Sequence, residues 1–296
     1  AVLALRDRDW PVVVIDNLST GFRWAVPDDV AFIEADIGDE DAITQVLKTH
    51  GIGAIMHFAG SIIVPESVEQ PLKYYRNNTA NTRNLLAAAV QNAVSHFIFS
   101  SAAATYGISH SGPIAEDAPK SPINPYGMSK LMSEFMLADV ARAHPLNFSA
   151  LRYFNVAGAD PKGRSGQSTA GATHLIKVAV EAALGKRSHV SIYGTDYATP
   201  DGTGVRDYIH VADLAEAHVL ALEALIAQPE NSLVLNCGYG RGFSVNEVLD
   251  AVDRVANVSL QRRLEGRRAG DPDALIADNR QILEHLPWQP RYDDLD

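Results

Sequence analysis

Short apolar, β-branched runs alternate with longer amphipathic stretches along the first half of the chain, and this alternation most limits what it can fold into. Pro11-Val-Val-Val-Ile-Asp16, Ala31-Phe-Ile-Glu-Ala-Asp36, Ala54-Ile-Met-His-Phe58, His96-Phe-Ile-Phe-Ser100 and Ser149-Ala-Leu-Arg-Tyr-Phe154 read as strands covered on both faces. Between them lie three helical patterns. Asp39 to His50 carries acidic residues in its first turn, which suits the helix dipole. In Pro71 to Val90, Leu72, Tyr75, Thr79, Thr82, Leu86 and Ala89 step by three and four and define one face. Pro125 to Ala143 has Asn124 as N-cap and Pro125 at its first position. Alternation of this kind implies an α/β fold with a doubly wound parallel sheet.

After residue 155 the rhythm changes. Residues 163–171, rich in Gly, Ser and Thr, read as a loop. Helices are expected at Leu175–Leu184, Val211–Ile226 and Val245–Val255, and Ser232–Asn236 reads as a further buried strand placed to rejoin the first sheet. Two lobes are therefore expected, the second built from separate segments. The opening residues, Ala1 to Asp9, read as the tail of a helix running into the Pro11–Asp16 strand. A doubly wound fold normally starts with a strand and a Gly-rich turn before that helix, and neither stands ahead of it here.

Chemistry-bearing residues gather at the predicted strand ends. Asp16, followed by Asn17, can accept hydrogen bonds from both hydroxyls of an adenosine ribose; an Asp-Asn pair also starts ordinary turns. Asp36-Ile37 and Phe58-Ala59-Gly60 end the next two strands, where small residues let a ligand approach the backbone. Ligands sit at the carboxyl ends of such sheets, so three consecutive ends of this character reinforce one another. The most specific signal is Tyr126-Gly-Met-Ser-Lys130. Residues four apart share a helix face. An ammonium and a cationic nicotinamide nearby would lower the phenol pKa from about 10 and make it a general base. Arg206, within Gly204–Asp213, can hold a diphosphate by a charge-assisted fork or pair locally with Asp207. His210 reads as structural.

Composition narrows the rest. A formal net charge of −11 excludes general nucleic-acid binding, which needs a basic footprint. The basic stretch Arg262, Arg263, Arg267, Arg268 reads first as a solvated face. Cys237 is the only cysteine, which leaves no disulfide and no cysteine cluster for a metal. No apolar run reaches membrane-spanning length and no signal peptide opens the chain, so a cytoplasmic protein is expected.

Taken together, Val14-Ile-Asp-Asn-Leu-Ser19, His57-Phe-Ala-Gly60, Tyr74-Tyr-Arg-Asn-Asn78, Phe97-Ile-Phe-Ser-Ser101, Tyr126–Lys130, Leu151-Arg-Tyr-Phe-Asn155-Val-Ala-Gly158 and Asp201–Val211 resemble the extended short-chain dehydrogenase/reductase family. Within it the chain is most similar to the epimerases that invert C4 of UDP-glucose and UDP-galactose. The resemblance runs nearly the whole length. It implies NAD as cofactor in a Rossmann-type domain over 1–155, to which 208–253 contributes a strand and helices. A smaller α/β substrate lobe is implied over 156–207 and 254–296. Asp16 and Asn17 would hold the adenosine ribose, and Asp36 and Ile37 would flank adenine. Phe58, Ala59, Gly60 and Asn77 would line the diphosphate and nicotinamide ribose. Lys130 would bind that ribose and tune Tyr126, with Tyr153 and Phe154 beside the nicotinamide. Asn155, Leu175, Arg206, Arg268 and Asp271 match UDP-binding positions, and Tyr193 an aromatic near uracil. No metal is implied. The partners implied are a UDP-sugar and a second copy of the chain, paired through the 71–90 and 125–143 helices.

The resemblance also has departures. The family's Gly-x-x-Gly-x-x-Gly turn and its strand are missing, so the chain is expected to be a fragment with an opened sheet that binds NAD poorly. Ala102 stands where the family has Ser or Thr, a hydroxyl that helps hold the 4-oxygen. Leu275 stands where the family varies a residue that limits sugar size, and its bulk points to glucose and galactose. The nearest rivals are UDP-pentose or N-acetylhexosamine 4-epimerases. A 4,6-dehydratase would show Thr-Asp-Glu at 102–104, where this chain has Ala-Ala-Ala. A non-catalytic nucleotide-sugar binder is the reading from another class.

Overall fold

The computed structural model describes residues 1–108, 112–169, 171–228, 231–268 and 271–296. The strands of the first half are β1 (Val13–Asp16), β2 (Ala31–Glu34), β3 (Ala54–His57), β4 (His96–Ala102) and β5 (Asn147–Tyr153). Those of the second half are β6 (Asn155–Ala157), β7 (Val190–Tyr193), β8 (Val205–Arg206), β9 (Tyr208–His210), β10 (Leu233–Cys237), β11 (Phe243–Ser244), β12 (Arg262–Glu265) and β13 (Ala274–Leu275). The helices begin with α1 (Val2–Arg6), α2 (Glu40–His50), α3 (Val64–Glu69), α4 (Pro71–Tyr74), α5 (Asn81–Gln91) and α6 (Pro125–Ala143). They end with α7 (Leu175–Ala183), α8 (Val211–Ala227), α9 (Val245–Ala256) and α10 (Arg280–His285).

The central sheet has the order β10-β5-β4-β3, all parallel, so the 232–236 run does rejoin the first sheet. β1 and β2 form a separate parallel pair. Among the described residues β1 bonds only to β2 and β3 only to β4, and each keeps one open edge. The opened sheet expected from the sequence is thus present as a pair of strands and a set of four.

Side chains alternate across β4 and β5, as the pleat requires. Phe97, Phe99, Phe148 and Ala150 pack under α2, α5 and α6 with Ile43, Leu47, Leu85, Leu86 and Leu137. Ile98 and Leu151 face the other way, toward α8 and α10 with Leu214, Leu222, Leu225 and Ile282. Each fully buried side chain of this size contributes roughly 1.5–3 kcal/mol. Helices on both faces explain why the strands read as continuous apolar runs.

The 71–90 helix is not one regular helix. Residues Tyr75–Ala80 form a π turn between α4 and α5. The extra residue in that turn rotates the earlier part, so Leu72 is 80% exposed while Tyr74 and Asn78 face inward. The single stripe expected from Leu72 to Ala89 is buried only from Thr82 onward.

The smaller lobe packs Ala179, Val190, Ile192, Leu249 and Leu260 between α7, β7 and α9. It carries the parallel pair β7–β12 and the mixed set β11-β8-β13. The first turn of α8 is clamped by the last residues of the chain. Asp213, 1% exposed, receives the Tyr239 hydroxyl and the backbone N–H groups of Arg291 and Tyr292, while the Trp288 indole donates to its carbonyl.

Candidate active site

A cleft of about 2340 Å3 opens at the carboxyl ends of β3, β4 and β5 and extends to the smaller lobe. Its wall includes Phe58, Ala102, Tyr126, Lys130, Tyr153, Phe154, Asn155, Arg268, Asp271 and Leu275.

Tyr126 reaches the cleft because α6 starts beside the end of β4. The Asn124 side chain accepts from Gly127 N at 2.9 Å and caps the helix, with Pro125 at its first position. A Cβ on Gly127 would stand 2.3 Å from the Ala104 carbonyl oxygen, so glycine is needed for the helix to nest there. Lys130 follows one turn later on the same face. It is 3% exposed, donates to the Ser100 carbonyl at 2.9 Å and lies 5.0 Å from the centre of the Phe99 ring. Burial pulls its pKa down to about 8, against an upward pull from Glu134.

The phenol of Tyr126 has no hydrogen-bond partner among the described residues. Burial pushes its pKa well above the usual value, with Tyr153 and Tyr74 adding to the rise. The Lys130 ammonium is bonded to the β4 backbone, and in the protein alone burial dominates the Tyr126 phenol.

The floor beside the pair is held by polar contacts. Asn78, turned inward by the π turn, accepts from Ser61 N at 2.7 Å and donates to Ser61 O at 2.9 Å and Ser129 Oγ at 3.0 Å. The Tyr74 hydroxyl bonds both backbone groups of Ile63. These contacts hold the loop that carries Phe58, Ala59 and Gly60. A Cβ at Gly60 would lie 3.1 Å from Asn78 Oδ1 and 3.6 Å from Lys130 Nζ. The Phe58 ring packs 4.8 Å from that of His218, and Tyr153 shares a short hydrogen bond with Ser100 Oγ. Asn77 donates to Ser61 Oγ at 3.0 Å.

Asp16, Asn17, Asp36 and Ile37 stand at the ends of β1 and β2, outside the cleft wall. Asp16 Oδ1 accepts from Leu18 N at 2.7 Å. Asn17 donates to Asp36 Oδ2 at 2.9 Å, and Gly38 N and Asn81 Nδ2 donate to Asp36 Oδ1. Asp36 is thus tied into the protein on both oxygens.

On the other side of the cleft, Arg206 Nη2 meets Asp271 Oδ1 at 2.5 Å, and the Arg268 guanidinium stacks 3.8 Å from the centre of the Tyr193 ring. Arg206 and Tyr193 themselves do not line the cleft. The local Arg206–Asp207 pair weighed from sequence is not formed. Asp207 is buried and accepts from the backbone N–H groups of Tyr239, Gly240 and Ala277. Leu175 does not face the cleft: it packs with the Ala179–Leu249 core, while His174, Ile176 and Lys177 line the wall. An amphipathic helix start places neighbouring side chains on opposite sides, and here that of Leu175 packs inward. Among the basic stretch, Arg262 pairs with Asp250 and Asp253, away from the cleft. His210 is structural, its Nδ1 capping α8 at Ala212 N.

The hydroxyls nearest Ala102 in sequence are bonded elsewhere. Ser101 Oγ donates to Glu134 at 2.5 Å and Thr105 Oγ1 to the Ala102 carbonyl at 2.9 Å. Sequence reasoning missed Glu134 and Arg152, whose buried ion pair lies directly behind Lys130. The available signal was spacing: Glu134 follows Tyr126 and Lys130 at four-residue steps.

No helix is long and apolar enough to cross a membrane, and no cluster of His, Cys, Asp or Glu could hold a metal among the described residues.

Comparison with known proteins agrees with this geometry. The model of the NAD dependent epimerase/dehydratase family matches residues 1–238. A UDP-glucose 4-epimerase of Azospirillum brasilense is 55% identical over 293 residues, covering 99% of this chain and 84% of the relative. The structure of UDP-glucose 4-epimerase from Brucella ovis in complex with NAD superposes with a TM-score of 0.96 at 45% identity, covering 100% of this chain and 90% of that one. That of the Bifidobacterium longum enzyme with NAD+ and UDP gives 0.92 at 37% identity, covering 99% and 90%.

Proposed function

The chain belongs to the NAD dependent epimerase/dehydratase family, and from that premise we propose that it is an isomerase inverting C4 of a UDP-hexose, UDP-glucose or UDP-galactose, with NAD as cofactor. The observation that carries the reading is the placing of Tyr126 and Lys130 on one helix face at the wall of a cleft whose far side holds Arg268 and Asp271.

The residues fit NAD. Gly60 leaves room over Asn78 and Lys130 that a side chain would take, Lys130 has donors to spare, and Asp16 stands at a strand end with one carboxylate oxygen free of protein donors among the described residues. Asp36 and Ile37 would flank adenine and Asn17 would support the ribose site. Phe58, Ala59, Asn77, Tyr153 and Phe154 would border the diphosphate and nicotinamide. When bound, NAD+ accepts the hydride from C4 and returns it to the opposite face.

Tyr126 takes the 4-hydroxyl proton and later gives it back. Burial favours the protonated phenol, so this step depends on cationic charge beside it, part of which Lys130 supplies. Arg268 and the Arg206–Asp271 pair hold the UDP moiety while the sugar turns, with Asn155 and Tyr193 beside it. Ala102 leaves Tyr126 as the group that works directly on the 4-oxygen. Leu275 narrows the sugar site and favours hexoses without an N-acetyl group.

In this reading residues 1–155 with 208–253 bind the cofactor, and 156–207 with 254–296 bind the UDP-sugar. A homodimer is proposed through the 71–90 segment and α6. There, Tyr75, Thr79, Met132 and Met136 line a shallow apolar depression, with Phe135 60% exposed beside it.

The test is conversion of UDP-galactose to UDP-glucose with NAD in excess. The parent should turn over, and Tyr126→Phe should lose about 100- to 10,000-fold in kcat. A 4-keto-6-deoxy product, or UDP-galactose binding without turnover, would overturn the reading.

A further inference from the structure

Behind Lys130 lies a buried polar chain that none of the roles above uses. Glu134 sits one turn further along α6 and is 5% exposed; Arg152 on β5 is 3% exposed. Arg152 Nε and Nη2 reach the two oxygens of Glu134 at 2.9 and 2.5 Å in a bidentate fork. Ser101, next to the Ser100 whose carbonyl holds Lys130, donates to Glu134 Oε1 at 2.5 Å. Arg152 Nη1 donates to the Tyr106 hydroxyl at 2.9 Å and the Glu116 carbonyl at 3.1 Å, and Tyr106 donates to Asn236 at 2.7 Å. The chain therefore fastens α6, the end of β4, β5 and β10 to one another at the level of the amine.

A buried ion pair is a poor source of stability compared with apolar packing, because desolvating both charges offsets their attraction. Its use here follows from what it surrounds. Lys130 is a buried ammonium with one carbonyl acceptor among the described residues, and buried amines shed their proton unless a counter-charge is near. The other titratable or charged groups around it do not supply one. His57 on β3 is neutral, Tyr126 and Tyr153 are protonated phenols, and Arg152 is itself a cation. Glu134 is the carboxylate on this face of α6.

We propose that Glu134, braced by Arg152, is a positioning residue for the Tyr126–Lys130 pair. It fixes the strand end to which Lys130 is bonded and supplies the counter-charge that keeps the ammonium protonated at working pH. The inference rests on the epimerase reading for its kinetic consequence but not for its electrostatic one.

The test pairs Glu134→Gln with Glu134→Gln/Arg152→Met, which removes both charges and leaves no orphaned guanidinium. The Lys130 side chain is followed by NMR of 13Cε-labelled lysine, assigned with Lys130→Arg. In Glu134→Gln its titration midpoint should fall by about one pH unit, and in the double variant, where the Arg152 cation is lost as well, by less. The alkaline loss of kcat should move with it, while KM for UDP-galactose holds. An unmoved midpoint in folded Glu134→Gln overturns the proposal, as does a drop in kcat with an unshifted pH profile. Should neither variant fold, Arg152→Lys keeps the charge but loosens the fork; an undiminished kcat there would equally overturn it. If the parent itself fails to epimerise, the functional reading falls and the lysine titration still decides this one.

Discussion

Lowering the pH should remove the stability that a buried, neutral histidine contributes, and His57 gives a way to see it. His57 is 3% exposed at the end of β3, with the Phe97 and Phe99 rings 6.0 and 5.7 Å away. The Thr82 hydroxyl donates to the Asn78 carbonyl, so its lone pair receives His57 Nε2–H at 2.8 Å, which fixes the neutral tautomer. Burial, with the Lys130 charge adding to it, pulls the His57 pKa from 6.5 down to about 3. A histidine kept neutral by the fold contributes stability that is full above its unfolded pKa. That contribution is lost as pH falls, because the unfolded chain takes up a proton the native state refuses. At pH 5 the unfolded imidazole is almost wholly protonated and the native one is not. This costs about 2 kcal/mol relative to pH 7.5, and any native value below about 4 gives the same loss.

The comparison is parent against His57→Gln, which retains a donor for Thr82 and does not titrate. Guanidinium unfolding followed by circular dichroism at pH 7.5 and 5.0 gives the two stabilities. The variant should be somewhat less stable at pH 7.5, yet lose about 2 kcal/mol less than the parent on going to pH 5.0. Other groups titrate in both proteins and cancel. Parallel losses would refute the reasoning, because they would mean that His57 is protonated, or hydrated, inside the fold.

Ala102→Ser should raise kcat several-fold in the UDP-galactose assay, since Ser101 and Thr105 are bonded elsewhere and their hydroxyls do not stand in. Arg206→Met leaves Asp271 without its guanidinium partner and should weaken UDP binding about 10- to 100-fold by calorimetry while the melting temperature stays close to the parent's. Phe135→Glu puts a charge on the proposed dimer face and should shift the protein to monomer in sedimentation velocity without unfolding it.

Much of this was legible because burial writes itself into composition. β4 and β5 are covered on both faces, so their apolar runs marked them within two residues, and Asn124-Pro125 announced the start of α6 to the residue. The Tyr126–Lys130 spacing needed only helix geometry. What escaped was set by contacts distant in sequence. The π turn at 75–80 places Asn78 for bonds to Ser61 and to Ser129, 51 residues away, and nothing in the Tyr-Arg-Asn-Asn-Thr-Ala string reports them. Leu175 was assigned to the UDP site, but only the packing of α7 on α9 decides which side of that helix start faces inward. Sequence also cannot weigh the desolvation of the Tyr126 phenol against nearby charge. Glu134 and Arg152 are 18 residues apart, and nothing in the sequence reports that the fold pairs them.

The clamp on α8 bears on how the molecule is made. Asp213 leaves the ribosome long before Trp288, which lies 75 residues further along the chain. At synthesis rates of about 5–20 residues per second the gap is about 4–15 s. Throughout it, one face of the nascent α8 waits for the indole and amides that will cover it. A growing chain stalled within that interval would present a half-closed apolar surface, the kind of substrate chaperones bind.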